Sequence, residues 1–107
     1  MKHLSGASHF NQTATGTTSA VATEGTPTAG KIYITDIVVS SDKNGALLQV
    51  KQGGTPVVFQ LQLSGSGTPI AFSHHFDTPI IIDESKNATV EIDGTALCKA
   101  NFCGYVA

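Results

Sequence analysis

The strongest constraint on the fold is a series of short extended segments separated by turn signals, with no helical repeat between them. Residues 31–40 read KIYITDIVVS, which is rich in the β-branched and aromatic residues that favour strands. Turn signals such as Asn44-Gly45 and Asp93-Gly94 follow segments of this kind. No window places apolar residues at helical spacing without a glycine, a proline or a β-branched run. The sequence therefore predicts an all-β protein.

The spacing of these segments predicts about eight strands. Turn signals recur roughly every 8–12 residues, which is typical of antiparallel sandwiches and barrels rather than of βαβ units. Eight strands in two sheets is the number found in a jelly roll. An immunoglobulin-like sandwich is disfavoured because the chain has no tryptophan. We predict an antiparallel, jelly-roll-like β-sandwich with strands at residues 17–23, 31–40, 46–52, 56–63, 69–76, 80–84, 88–93 and 96–107.

The chain of 107 residues fits one domain. Residues 1–30 are rich in Thr, Ser, Gly and Ala, and their large apolar residues are Leu4, Phe10 and Val21. We therefore predict a flexible N-terminal arm at residues 1–16 and a β-sandwich domain at residues 17–107.

The segment of residues 56–63 alternates most clearly. Val57, Phe59, Leu61 and Leu63 share one face of the predicted strand. We expect that face to point into the core, and replacement of Phe59 by alanine is then expected to cost roughly 3–5 kcal/mol.

Two adjacent histidines, His74 and His75, suggest a metal site or a general base. Neighbours on a strand point to opposite faces of the sheet, so His74 should face the core or an interface and His75 the reverse face. The two imidazoles are then badly placed to share one metal ion. A cupin site needs histidines that alternate on a strand, and these are adjacent. We expect no metal site here and no cofactor.

The carboxylates near these histidines also have simpler interpretations. Asp77 is expected to cap a turn before Pro79. Asp83 and Glu84 are adjacent, so they point apart and do not form the carboxylate pair of a glycosidase. The sequence contains no nucleophile elbow, phosphate-binding loop or C-x-x-C motif. We therefore expect no catalytic residues and a protein that is not an enzyme.

The two cysteines lie five residues apart on the predicted last strand. Cys98 and Cys103 should therefore point to opposite faces, roughly 16 Å apart, which is too far for a disulfide. Free thiols suit a reducing compartment, and the N-terminus lacks the apolar segment of a signal peptide.

Charge and composition bear on the partners. The net charge is −2, arginine is absent and the lysines are scattered, so nucleic-acid binding is not expected. No apolar run is long enough for a membrane helix. Charged residues make up only 13% of the chain, which suits burial against neighbouring subunits. A carbohydrate- or receptor-binding module remains an alternative, although Tyr33 and Tyr105 are the chain's tyrosines and it has no tryptophan for sugar stacking.

Several segments together resemble a protein family. Residues 27–41, PTAGKIYITDIVVSS, and residues 99–107, KANFCGYVA, resemble the opening and closing segments of small virion structural proteins of tailed bacteriophages. Residues 53–63 and 76–92 lie where that family has its middle strands. The resemblance covers residues 17–107, and Cys103, the missing arginines and the histidine pair depart from the family pattern.

The resemblance implies a jelly-roll cement or decoration protein that binds over the capsid lattice. Its expected partners are the major capsid protein or other virion proteins, together with further copies of itself. It would be made in the cytoplasm of the bacterial host and located in the virion.

Overall fold

A computed structural model describes residues 8–64 and 69–107. Within these ranges the regular structure consists of strands and includes no helix. The strands are β1 (Ser8–Gly16), β2 (Ser19–Glu24), β3 (Ile32–Ser41), β4 (Leu47–Gln52), β5 (Val57–Gln62), β6 (Ile70–Ile81), β7 (Ala88–Asp93) and β8 (Cys98–Val106).

The strands form two antiparallel sheets of four. The first sheet has the order β1-β8-β3-β6, and the second has the order β2-β7-β4-β5. The pairs β1–β8, β2–β7, β3–β6 and β4–β5 are those of one long hairpin that has been rolled up into two layers. This is the strand order of a jelly roll, and it confirms the predicted antiparallel β-sandwich.

The core lies between the sheets and follows from the alternation of side chains along each strand. Strand β3 contributes Ile32, Ile34, Ile37 and Val39, and β8 contributes Phe102; all five are buried. The remaining buried apolar residues come from both sheets and from the segments joining the strands: Ala20, Ala22, Ala46, Leu48, Val50, Leu63, Ile82, Ala88, Val90, Ile92, Cys98 and Ala100.

The arm predicted for residues 1–16 is wrong over residues 8–16, because these form β1. The strand pairs with β8 without interruption from Ser8–Val106 to Gly16–Cys98. The polar sequence of residues 8–16 does not indicate a strand, and backbone pairing with β8 stabilises it as one. Phe10 packs against the core on the inner face of the sheet. The sandwich therefore includes residues 8–16, while residues 1–7 of the predicted arm and residues 65–68 of a predicted turn lie outside the described residues.

Two predicted strands, at residues 69–76 and 80–84, are one strand, β6, which ends at Ile81. Pro79 lies inside it, which is possible because β6 is at the edge of its sheet and needs no outward hydrogen bond. The pairing shifts between Ile34–Ile80 and Asp36–His75, so residues 76–79 bulge opposite Thr35. Asp77, predicted as a turn cap, lies in this bulge.

The core-facing side predicted for residues 56–63 is correct for three of its four residues. Leu63 is buried, and Phe59 and Leu61 are partly buried against the core. Val57 is 42% exposed. The register shifts between the pairs Val50–Phe59 and Lys51–Val57, which bulges the strand at Val58 and releases Val57 from the core.

Candidate functional site

His74 and His75 lie on opposite faces of the first sheet, as predicted. His74 pairs with the buried Ile37 and His75 with Asp36. The ring of His74 lies between two phenylalanine rings of its own strand, with centroid distances of 6.0 Å to Phe72 and 4.6 Å to Phe76. His74 therefore belongs to an aromatic cluster at the margin of the sandwich and does not join His75 in a site.

The sheet register brings three polar side chains together on the outer face of the first sheet. Asp36 of β3 lies beside His75 of β6 on one side and Cys103 of β8 on the other. The Nδ1 atom of His75 is 2.8 Å from Oδ1 of Asp36, and the Sγ atom of Cys103 is 3.7 Å from its Oδ2. The hydroxyl of Thr35 donates to the same Oδ2 at 2.8 Å. We call these four residues the Asp36 cluster.

The electrostatics of the Asp36 cluster favour a charged carboxylate and a neutral thiol. Burial tends to raise the pKa of Asp36, but hydrogen bonds from His75 and Thr35 outweigh it, and the net pKa is lowered. Burial and the neighbouring Asp36 carboxylate raise the pKa of the Cys103 thiol. The arrangement therefore holds Cys103 in the protonated form, which is the less reactive one.

The order of the three groups also differs from that of a nucleophilic triad. In such a triad the imidazole stands between the nucleophile and the carboxylate and accepts the proton. Here the carboxylate of Asp36 stands between the thiol and the imidazole. The cluster links β3, β6 and β8 across the sheet, and this geometry supports a structural role.

Acidic groups outside the cluster add little to it. Asp77 Oδ1 is 3.7 Å from the Nε2 atom of His75 and is fully exposed. Asp83 is bonded to Gln52, whose Nε2 donates to its carboxylate at 2.9 Å, and the neighbouring Glu84 is exposed. In residues 8–64 and 69–107 no three His, Cys, Asp or Glu side chains are grouped so that they could hold a metal ion.

The two thiols point in opposite directions, as predicted. Cys98 is buried in the core, while Cys103 is half-buried on the outer face, and both are free. Cys98 donates its S–H to the carbonyl of Ala96 at 3.2 Å.

The tyrosines form a stacked pair on the outer face of the first sheet. The rings of Tyr33 and Tyr105 are 4.9 Å apart and 11° from parallel, and the edge-to-face partner of Tyr105 is His9 at 6.1 Å. Each tyrosine ring therefore covers one face of the other. Sugar binding by aromatic stacking needs an open ring face, and the stacked contact removes one of the two faces of each ring.

An apolar strip lies along the side of the sandwich where β5 and β6 are the sheet edges. Phe59, Leu61, Ile70, Phe72 and Phe76 are partly buried there, and the rings of Phe59 and Phe76 meet at 5.5 Å. We call these five residues the open margin. The opposite side is more closed, because β1 and β2 approach each other there and Gln12 donates to Glu24 at 2.8 Å.

No protein-family model matches the chain, and no curated protein sequence matches it significantly. The described part of the chain contains no helix that is long and apolar enough to cross a membrane.

Proposed function

We propose that this chain is a non-enzymatic virion structural protein of a tailed bacteriophage, a cement or decoration protein that stabilises the major capsid lattice. It would be assembled into the particle in the host cytoplasm. The segment resemblance supports the virion assignment. The structural observation that carries the proposal is a jelly-roll sandwich with few charges on its sheets.

Burial of the outer face of the first sheet would desolvate few charged side chains. Within its four strands the charged residues are Asp36, Asp77 and Lys99. Asp36 is already bonded within its cluster. Val38 lies at the middle of this face and is 48% exposed. Interface cores are depleted in charge because desolvating charges is costly, so this face suits contact with another protein.

Charge does not separate the two outer faces, because the second sheet also presents three charged residues, Lys51, Glu91 and Asp93, while Glu24 points inward. The first sheet differs in presenting its stacked tyrosines on the outer face, and tyrosine is enriched at protein interfaces. We therefore assign the capsid contact to the outer face of the first sheet.

The fold alone does not choose among the jelly-roll functions, because lectins and cupins share it. Two observations argue for a structural role. The Asp36 cluster keeps its thiol protonated, and each stacked tyrosine has one ring face covered by the other. A building block requires neither a nucleophile nor an open aromatic platform.

Two measurements test the proposal: whether the chain is present in purified particles, and whether added chain binds to particles that lack it. Mass spectrometry and cryo-electron microscopy of virions from the phage that encodes the chain should find it in many copies on the capsid. Absence of the chain from purified particles would refute the proposal.

Two exposed valines provide a matched pair for mapping the contact. Val38 and Val21 are 48% and 47% exposed, on the outer faces of the first and second sheets. Particles lacking the chain should recover stability against heat when Val21→Lys protein is added, and should not recover it with Val38→Lys protein. Equal recovery with both variants would show that the first sheet does not make the contact.

A further inference from the structure

The edges of the two sheets differ in how well they are protected against pairing with another strand. An exposed edge strand offers unpaired backbone groups, and proteins usually block it with charges, prolines, bulges or short length. At the edges, β6 contains a bulge and Pro79, and β5 follows Pro56 and bulges at Val58. Strand β2 has six residues and ends in Glu24.

Strand β1 has none of these devices. It has nine residues, contains no proline, lysine, aspartate or glutamate, and pairs with β8 in one unbroken register. It is therefore long, regular and without lysine, aspartate or glutamate side chains, which are the properties of an edge that can pair with another strand.

The hydrogen-bonding pattern fixes which groups of β1 point outward. Lys31 and Ala107 exchange both backbone hydrogen bonds, at 3.0 and 3.1 Å. Bonding directions alternate along a strand, so the odd-numbered residues of β8 bond to β3 and the even-numbered ones bond to β1. The backbone N–H and C=O groups of Asn11, Thr13 and Thr15 then point away from β8, and no described strand pairs with them.

We propose that β1 pairs antiparallel with β1 of a second copy of this chain, about a two-fold axis at Gln12. The two first sheets would become one continuous eight-stranded sheet. A two-fold axis perpendicular to the sheet keeps inner and outer faces continuous, so even positions must meet even positions and odd positions odd ones. The register centred on Gln12 satisfies this condition and overlaps the whole of β1.

The side chains in this register complement one another. Asn11 lies opposite Thr13 of the second copy, in a hydrogen-bonded backbone pair, with an amide beside a hydroxyl. Phe10 lies opposite Ala14 of the second copy on the inner face, so that a large side chain meets a small one. Gln12 lies opposite its own copy, with its side-chain amide donating to Glu24 of its own chain, and β1 itself brings no lysine, aspartate or glutamate to the edge.

A second copy fits this edge better than an unrelated strand does. The interface is isologous, so every favourable pair occurs twice from one surface. The inference does not rest on the virion role, because it concerns the purified chain alone. The outer face around Val38 also remains open in such a dimer, since only the edge is used.

The test combines native mass with site-specific cross-linking, in a background where Cys103→Ser removes the outer thiol. Sedimentation velocity of the unaltered chain should give a dimer. Gln12→Cys should form an intermolecular disulfide on mild oxidation, because non-hydrogen-bonded antiparallel partners have Cα atoms about 4.5 Å apart. Thr15→Cys is the matched control, since its own copy would lie about 20 Å away along the strand and should not cross-link.

A third variant separates pairing from folding. Thr13→Pro removes an outward N–H group, which an edge strand tolerates, so the variant should melt near the unaltered chain but sediment as a monomer. A monomeric unaltered chain at about 100 μM would overturn the proposal, as would equal cross-linking of Gln12→Cys and Thr15→Cys. A dimer that survives in folded Thr13→Pro protein would do the same. If Thr13→Pro protein is unfolded, the two cysteine variants decide the question.

Discussion

Phe102 is the largest of the fully buried side chains, and its truncation gives the sharpest test of the core. It lies between the two sheets, with the ring of Phe10 edge-on at 5.4 Å. Phe-to-Ala changes in cores cost about 3–5 kcal/mol, and complete burial with a ring partner places Phe102→Ala near the upper end, at about 4–5 kcal/mol. A chain of this length has about 5–16 kcal/mol in total. The melting temperature should therefore fall by roughly 15–30 °C.

The matched control is Phe59→Ala, at the open margin. Phe59 is only partly buried, so its truncation should cost about half as much, roughly 1.5–2.5 kcal/mol. This loss is smaller than the roughly 3–5 kcal/mol expected if Phe59 were completely buried, as the alternation of β5 alone predicts. Urea unfolding followed by far-ultraviolet circular dichroism would measure both variants. Equal losses for the two, or a loss below about 2 kcal/mol for Phe102→Ala, would contradict the packing described.

The remaining predictions concern the backbone and the Asp36 cluster. Gly104→Ala should cost at least about 3 kcal/mol by thermal melting, because a Cβ atom there would lie 1.9 Å from a carbonyl oxygen of β3, whereas Gly25→Ala, with nothing within 4 Å, should be close to neutral. Asp36→Asn should speed the reaction of Cys103 with a thiol reagent at pH 8, since the carboxylate helps to raise the thiol pKa. The buried Cys98 should react only on unfolding. An unchanged rate for Cys103 would show that the carboxylate does not control its reactivity. The pKa of Asp36 is lowered from its ordinary value of 3.8 in the folded chain. As the pH falls, the Asp36 carboxylate is therefore protonated at a higher pH in the unfolded chain than in the folded one. The stabilisation from Asp36 and His75 is therefore complete above about pH 4 and lost below it, and acid titration of Asp36→Asn should show a loss smaller by up to about 1 kcal/mol. Identical acid profiles would exclude this contribution.

Much of the fold could be predicted because it depends on a period of two. The alternation of β3 and β5 and the turn signals between strands are local properties of the sequence. Strand β1 was missed because its side chains are mostly small and polar, and its stability as a strand comes from pairing with β8. The continuity of β6 was missed because a proline such as Pro79 usually predicts the end of a strand. Proline is tolerated within an edge strand, and the sequence does not reveal that β6 is at an edge.

The Asp36 cluster could not be predicted for a related reason. Asp36, His75 and Cys103 are far apart in sequence and meet through the registers of β3 with β6 and β8. Both registers shift at Thr35, and the pairing on either side of such a bulge is set by tertiary packing. The opposite directions of His74 and His75 needed only local alternation, and that prediction was confirmed.

The pairing of β1 with β8 also has a consequence for how the protein reaches its native state. Contact between Ser8 and Val106 joins the earliest described strand to the last one, so a very large loop must close before the first sheet is complete. During translation the chain emerges from the ribosome in sequence order, so β1 cannot pair with β8 until all the strands between them have emerged. Late completion of the first sheet is therefore a direct result of this topology.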